Sequence, residues 1–573
     1  MFFCIEDVIN KNYLILRKEK VLVYLSTNAL YMIKMKVVEY YYKYIKAKGI
    51  NRVFGIPGSY IMPLWQQFSE PNEIKLVLAR HENGAVFMAD GWSRVNRQVG
   101  IVLTTIGPGI TNAITGIATA YYDSIPLVVI SGYSSLDEIN KGGFQNSKIS
   151  DRGFSVKKLL KGITKANFFP KNVEEAISNI HEAFCVAQEG RKGPVHILLP
   201  KDIQCQEFRP KDMTFAFEDE SSTEICISKN ICDTIEKAKR PILFSGWGVY
   251  LADGINERNK FVSKYNIPFV CSTKGLAGGQ AVEKELFWGV TGTVTKLETI
   301  KKIKDYAPDL WIVVGSSLSQ NSFVEFTEVC NSDIIQVDID SGQKNQYMEA
   351  QFFLRCDAKQ FFKKINNCIE GGAVKYNFPP KINKKPCFFF EKVLNSLVQN
   401  VKKEAIIVPD AGNHWLDVLY WFPQNTMYDI RTNAGLASMG HAIGASIGMK
   451  LANRDREVIC ITGDGSFLMS GAEISVAIQE EVKILFLVYN NSGLGRVRVG
   501  QGFTGKYIAS NITNVSIADI GIGMGAKAVC VKTVKEFQKY LKLYLNSNDT
   551  WIIEICEKKD AIPAILRERE EIC

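Results

Sequence analysis

The sequence predicts an α/β protein of three consecutive doubly wound parallel-sheet domains, and three observations carry that prediction. Short apolar runs of strand length alternate with longer amphipathic stretches along most of the chain. Two segments, from about Cys205 to Thr223 (CQEFRPKDMTFAFEDESST) and from about Gly371 to Pro386 (GGAVKYNFPPKINKKP), are rich in charge, Pro, Ser and Gly and show neither period, as interdomain linkers do. The 573 residues suffice for three or four domains at roughly 150 residues each.

Taken in order, a leader of residues 1–34 precedes blocks at 35–204, 224–370 and 387–560. Met1 to Arg17 mixes apolar residues with Glu6, Asp7, Lys11 and Arg17 and lacks a small-residue cleavage site, which argues against a signal peptide. In the first block, Gly100–Thr105 and Leu127–Ile130 read as strands. In the second, Ile242–Ser245, Leu310–Val314 and Ile334–Asp338 do the same. There is no short-period repeat, and the first and last blocks are open to being one kind of fold used twice.

Composition removes several function classes. Hydrophobic residues at 46% and charged residues at 23% are ordinary for a globular chain. The net charge of +9 is mild over this length, and no basic run is interleaved with aromatics, so no nucleic-acid partner is expected. No apolar stretch reaches the roughly 18 uncharged residues of a membrane span. The 14 cysteines form no C-x-x-C and no Cys/His cluster at zinc spacing. They read as thiols of a reducing, cytoplasmic compartment.

The segment from Glu457 to Gly495 carries the most chemistry. A strand-like run, Glu457–Thr462, leads into Gly463-Asp464-Gly465-Ser466; helical character follows from Phe467 to Glu480; a second strand-like run, Lys483–Tyr489, ends at Asn490-Asn491. In such a βαβ unit a right-handed crossover brings both strand ends to one sheet edge, so Asp464 and Asn491 can converge. A phosphate there would meet the amides of the glycine turn and the positive end of the helix. The Asp464 carboxylate, the Asn491 amide oxygen and a nearby backbone carbonyl, that of Gly493, are hard oxygen ligands suited to Mg²⁺. Alone, Gly-Asp-Gly is a turn and Asn-Asn a loop cap; in this spacing they make a diphosphate and magnesium site.

This arrangement is the signature by which thiamin-diphosphate enzymes resemble one another. Further motifs narrow the resemblance to the acetolactate synthase group: Arg80-His81-Glu82 with the following NGA, preceded by Val53–Gly58 (VFGIPG, with Pro57 and Gly58) and followed by Thr105–Gly109 (TIGPG), then Gly143-Phe144-Gln145, Arg191–Val195, Pro200–Asp202, Asp410–His414 and Gly435–Gly440. The resemblance covers nearly everything from Met35 onward, so the leader is either an extension or translation from an upstream start.

The resemblance implies a pyrimidine-binding domain at 35–204, a central domain at 224–370 and a diphosphate-binding domain at 387–560. It makes Glu82 the carboxylate that exchanges a proton with the cofactor's N1′, and Gln145 the residue facing the keto acid. Gly412, Asn413 and His414 would contact the diphosphate together with Gly463 to Ser466; Met439 would wedge under the cofactor, which Gly493 and Leu494 would also contact. The backbone at 437 and 439 would bond the pyrimidine, with Ala437 standing where Gly is usual. Because Glu82 and Asp464 lie in different domains, which in the family come from different subunits, a homodimer or homotetramer with its site at the interface is implied. FAD is left open: Arg191, Gly246, Gly248, Gly292 and Asp338 fit a flavin domain, but Gly315–Leu318 lacks the arginine usual there.

The second substrate decides the product: a proton yields an aldehyde, a carbonyl yields a carboligation product. Simple pyruvate decarboxylases resemble one another in a His-His pair, and the five histidines here form none, so carboligation from a 2-keto acid, pyruvate first, is expected. Ser492–Gln501 lacks the tryptophan that anabolic acetolactate synthases carry in their acceptor loop, which leaves room for a keto sugar or aldehyde acceptor. A simple decarboxylase also stays open. Arg496 and Arg498 read as a solvated basic strand, with a carboxylate or phosphate of a substrate as the alternative.

Overall fold

A computed structural model describes residues 34–570 apart from 70–72, 140, 142–144, 146–147, 150–151, 154, 210–225, 280–284, 324, 327–331, 369–384 and 423–427. The leader and most of both linkers therefore lie outside the described residues. The fold class is the one read from the sequence: three six-stranded sheets, every pairing in them parallel. Such strands are covered by helices on both faces, which is why they read as unbroken apolar runs; Leu127–Tyr133, Leu310–Val314 and Leu485–Asn490 are buried throughout.

The first sheet runs Lys75–Leu78, Arg52–Gly55, Gly100–Thr104, Leu127–Tyr133, Pro194–Pro200, Ala166–Phe168. The third runs Asp429–Ile430, Ile406–Pro409, Val458–Gly463, Leu485–Asn490, Trp551–Cys556, Lys527–Val531. Numbering the strands of each sheet by chain position, both orders are 2-1-3-4-6-5: one fold used twice. The central sheet instead runs 3-2-1-4-5-6, from Phe287–Thr291 through Pro241–Ser245 to Phe352–Arg355, the order of dinucleotide-binding sheets. In all three the order reverses beside the first strand, and a crevice opens there at the carboxyl ends.

One element departs from the expected linker. Lys201–Cys205 is helical, and Glu207–Phe208 pairs antiparallel with Met35–Lys36, fastening the two ends of the first block together.

The first and third sheets share one hydrophobic core, and the central and third share another. The join between first and third rests on two helices, Glu82–Asn96 and His441–Ala452. They approach so closely that a Cβ on Gly448 would lie 1.8 Å from the Met88 carbonyl oxygen, and one on Gly91 2.0 Å from that of Ala445. Larger residues would hold the backbones apart.

Where the three units meet, charge is buried. Arg94 pairs with Asp90 at 2.5 Å and with Asp123 at 2.7 Å, Lys274 of the central unit reaches Asp123 at 2.9 Å, and His441 bonds Asp90 at 2.9 Å. Burial works against the Asp90 anion, but Arg94 and His441 outweigh it and hold the carboxyl down at about 2.

Candidate active site

At the switch point of the third sheet, the ends of Ile406–Pro409 and Val458–Gly463 open into a cavity of about 100 Å³. It is lined by Gly412, Asn413, His414, Met439, Gly463 to Ser466, Asn491, Gly493 and Leu494, all expected there, and also by Tyr489, Arg496 and Val497. Two helices, Asn413–Trp421 and Asp464–Ser470, begin at this cavity.

Asp464 is 4% exposed; its Oδ1 accepts from the Gly465 amide at 2.9 Å and its Oδ2 from the Gly493 amide at 3.0 Å. Burial outweighs these bonds and raises its pKa. A divalent cation would offset that penalty directly. Four neighbours carry buried polar atoms without a protein partner: Asn413 Nδ2 and Oδ1, His414 Nε2, Ser466 Oγ and Asn491 Nδ2. An unpaired buried polar atom costs about 1–3 kcal/mol, and such a cluster in one cavity is what a polyoxygen anion with its metal would satisfy. The residues present thus fit a magnesium diphosphate group.

Glycines shape this cavity. A Cβ on Gly412, whose φ is +153°, would lie 2.5 Å from the His414 ring, and one on Gly463 2.9 Å from it. That ring is buried, and desolvation lowers its pKa to about 3, so it is a neutral imidazole near pH 7. On the other side Met439 and Leu494 meet over Gly465: a Cβ there would come within 3.3 Å and 3.1 Å of them. Ala437 has a left-handed backbone, φ +55°, which is the physical reason glycine suits this position. Asp410 braces the loop, accepting from the Gly440 amide at 2.8 Å and the Thr462 hydroxyl at 3.1 Å.

The first sheet carries a second cluster at the matching edge. Glu82 opens its helix and is 9% exposed, its Oε2 accepting from Asn112 Nδ2 at 3.0 Å. Gly58 packs on Thr105, whose hydroxyl is buried without a partner, and Gly107 lies against the Gln145 backbone. Gln145 is exposed with φ +58°. Pro57, Gly58, Glu82 and Gln145 do not line the Asp464 cavity of their own chain, nor does Ala437.

Glu473 has a placement the sequence reading did not single out. The predicted helix from Phe467 to Glu480 breaks: Asp464–Ser470 is α-helical, Gly471–Glu473 is a 3₁₀ turn, and Ile474–Gln479 is helical again. The break turns Glu473 into the join with the first sheet, where it is 2% exposed and accepts from the Arg80 amide at 3.1 Å and the His81 amide at 2.9 Å. Gly84 leaves it room, since a Cβ there would sit 2.1 Å from Glu473 Oε1. Burial pushes its pKa up to about 7, the Glu82 charge adding to the rise. The available signal was an acidic residue flanked by Gly471-Ala472 and Ile474 in the middle of the crossover.

The basic run after Asn491 is not a strand. Gly495–Gly502 is a helix; Arg498 is buried and bonded to Asn511 at 2.8 Å and Asp560 at 2.7 Å, whereas Arg496 lines the cavity. Of the residues read as fitting FAD, Gly246 and Gly248 donate their amides to Val314 and Gly315 carbonyls, and Arg191 bonds Ser124 and Asp340. Those two glycines serve backbone packing and present no amide to a phosphate.

Three family models cover the chain: the thiamine pyrophosphate enzyme N-terminal binding domain at residues 35–151, the central domain at 228–365 and the C-terminal binding domain at 410–555. The acetolactate synthase large subunit of Buchnera aphidicola subsp. Schizaphis graminum is 30% identical over 531 residues, 87% of this chain and 90% of that one. This chain belongs to the acetolactate synthase large-subunit family of thiamine pyrophosphate enzymes. A second family member, the Escherichia coli isozyme 1 large subunit, is 28% identical over 90% of this chain and 93% of its own. A solved Mycobacterium smegmatis structure, assigned provisionally to the thiamin diphosphate-dependent enzymes, shares the fold with a TM-score of 0.77 at 20% identity, covering 91% of this chain and 99% of that one. The thiamine pyrophosphate family accounts for both edge clusters, since its N- and C-terminal models each span one of them.

Proposed function

We propose that this chain decarboxylates a 2-keto acid, pyruvate foremost, and joins the two-carbon unit to a carbonyl acceptor, working as a homodimer or homotetramer. The observation that carries this reading is the set of unpaired buried polar atoms around Asp464, supported by the family the chain belongs to.

Thiamin diphosphate, when bound, supplies the nucleophilic carbon that attacks the keto acid and accepts the electrons released with carbon dioxide. Asp464, Asn491 and the Gly493 carbonyl would hold Mg²⁺; Gly412, Asn413, His414 and Gly463 to Ser466 would hold the diphosphate; Ala437, Met439 and Leu494 would seat the rings. Glu82 would hold and return the proton at the aminopyrimidine N1′, Pro57 and Gly58 would contact the cofactor, and Gln145 would border the keto acid. Glu82 does not line the Asp464 cavity of its own chain, which supports a second copy supplying the Glu82 edge.

Histidine placement favours carboligation over simple protonation. His81 caps its own helix, His181 bonds Tyr40, His196 bonds Ser131, His441 bonds Asp90, and His414 is held neutral. None forms a pair of proton donors. Arg496 at the cavity favours a second reading in which the acceptor is an anionic keto sugar or aldehyde.

Incubation with pyruvate, Mg²⁺ and thiamin diphosphate tests this. Acetolactate from pyruvate alone is the expected product. Carbon dioxide release that requires an added sugar or aldehyde, without acetolactate, supports the second reading. Absence of decarboxylation with any 2-keto acid overturns both.

A further inference from the structure

Outside the site, among the described residues, a cluster of two cysteines and a glutamate lies on the last sheet. Lys527–Val531 is its edge strand, paired in parallel with Trp551–Cys556, with Cys530 opposite Glu554. Side chains repeat on one face every second residue, so Cys556 follows Glu554 on the face that Cys530 shares. The sulfurs of Cys530 and Cys556 are 2.9 Å apart, and both residues are exposed. Glu554 lies within the same cluster. Its carboxylate is already committed, however, accepting from Asn490 Nδ2 at 2.5 Å and from the Ala518 amide at 2.9 Å, so it is a poor third ligand for a metal ion.

We propose that Cys530 and Cys556 form a reversible dithiol–disulfide site that staples the edge strand Lys527–Val531 to its neighbour, with a low-molecular-weight disulfide such as oxidised glutathione as the oxidant. Sulfurs in contact across adjacent strands need to move by only about 1 Å to reach bonding distance, given a disulfide length of about 2.05 Å. Burial, with the Cys556 sulfur adding, holds the Cys530 thiol up at about 12. Attack starts at Cys556, the exposed last residue of its strand. Its thiolate attacks one glutathione sulfur, forming a mixed disulfide and expelling glutathione thiolate. The Cys530 sulfur then attacks the Cys556 sulfur, its proton passing to the second departing glutathione. Two protein thiols are oxidised to one disulfide, and one glutathione disulfide is reduced to two thiols. The site stands apart from the proposed catalysis and does not depend on it.

Purified full-length protein is equilibrated with oxidised and reduced glutathione at about 1 mM, quenched with an alkylating agent, and mapped by peptide mass spectrometry. Sulfurs held in contact have an effective concentration above 10 mM, so the linked Cys530–Cys556 peptide is expected to exceed glutathione adducts at these residues by about tenfold or more. Dithiothreitol should reverse it. Cys530→Ser and Cys556→Ser should each leave the remaining cysteine as a lasting glutathione adduct, with thermal unfolding of the reduced variants checking their fold. Mapping also separates this link from one between Cys232 and Cys368, a second pair in mutual contact. Unlinked Cys530 and Cys556 in the oxidised wild type overturn the proposal. So does a zinc ion that stays with these residues and is released only by chelation.

Discussion

Glu473 is a buried acid whose ionisation the fold resists, and Glu473→Gln tests that. Its carboxyl moves from an ordinary 4.5 to about 7 on folding, with burial the main cause. A folded-state pKa raised in this way means the native protein binds the extra proton, so stability is fullest below the unfolded value and is lost as pH rises toward 7. Ionisation of Glu473 costs about 2.5 kcal/mol more at pH 8 than at pH 5. Glutamine keeps an acceptor for the His81 amide and cannot ionise, at the cost of about 1 kcal/mol for the poorer partner it offers Arg80. Denaturant unfolding of both proteins at pH 5 and pH 8 measures the effect. The wild type should lose about 2.5 kcal/mol more than the variant across that interval. Equal losses in the two proteins would refute the argument, because the titrating group would then lie elsewhere.

Four other perturbations have defined outcomes. Glu82→Gln should bind thiamin diphosphate while slowing hydrogen–deuterium exchange at its C2 carbon by at least about 100-fold, the scale of a lost acid–base group; unchanged exchange removes Glu82 from the proton path. Asp464→Ala should raise the Mg²⁺ concentration needed for cofactor binding by about tenfold or more, read by fluorescence titration. Gly448→Ala drives a methyl group into the Met88 carbonyl and should destabilise the join between first and third sheets by at least about 3 kcal/mol in thermal unfolding. Asp123→Ala leaves the buried Arg94 and the half-buried Lys274 without their shared carboxylate; a loss of about 3–5 kcal/mol is expected in denaturant unfolding.

The legible part of this protein is local. Apolar runs gave strands because residues such as Leu310–Val314 lie in parallel ladders covered on both faces. Gly463 to Ser466 and Asn491 could be placed at one edge because a single right-handed crossover joins them. The break at Gly471 was not legible, since helical periodicity runs through it and only the burial of Glu473 against Arg80 and His81 shows why the chain turns. Nor was the helix at Gly495–Gly502, where alternating Arg496, Val497 and Arg498 imitate a strand.

The sequence by itself determined the three α/β units and the placing of Gly463 to Ser466 and Asn491 at one sheet edge, because each depends on contacts within one βαβ stretch, whereas Glu82 was singled out by its resemblance to a family motif. Tertiary structure decided what joins the units: glycine-lined helices at Gly91 and Gly448, the Asp90, Arg94, Asp123, Lys274 and His441 network, and the seat of Glu473. Those contacts pair residues hundreds of positions apart, and no local period encodes them. Tertiary structure alone also showed that Glu82 does not line the Asp464 cavity of its own chain, while the helix it begins packs closely against His441–Ala452.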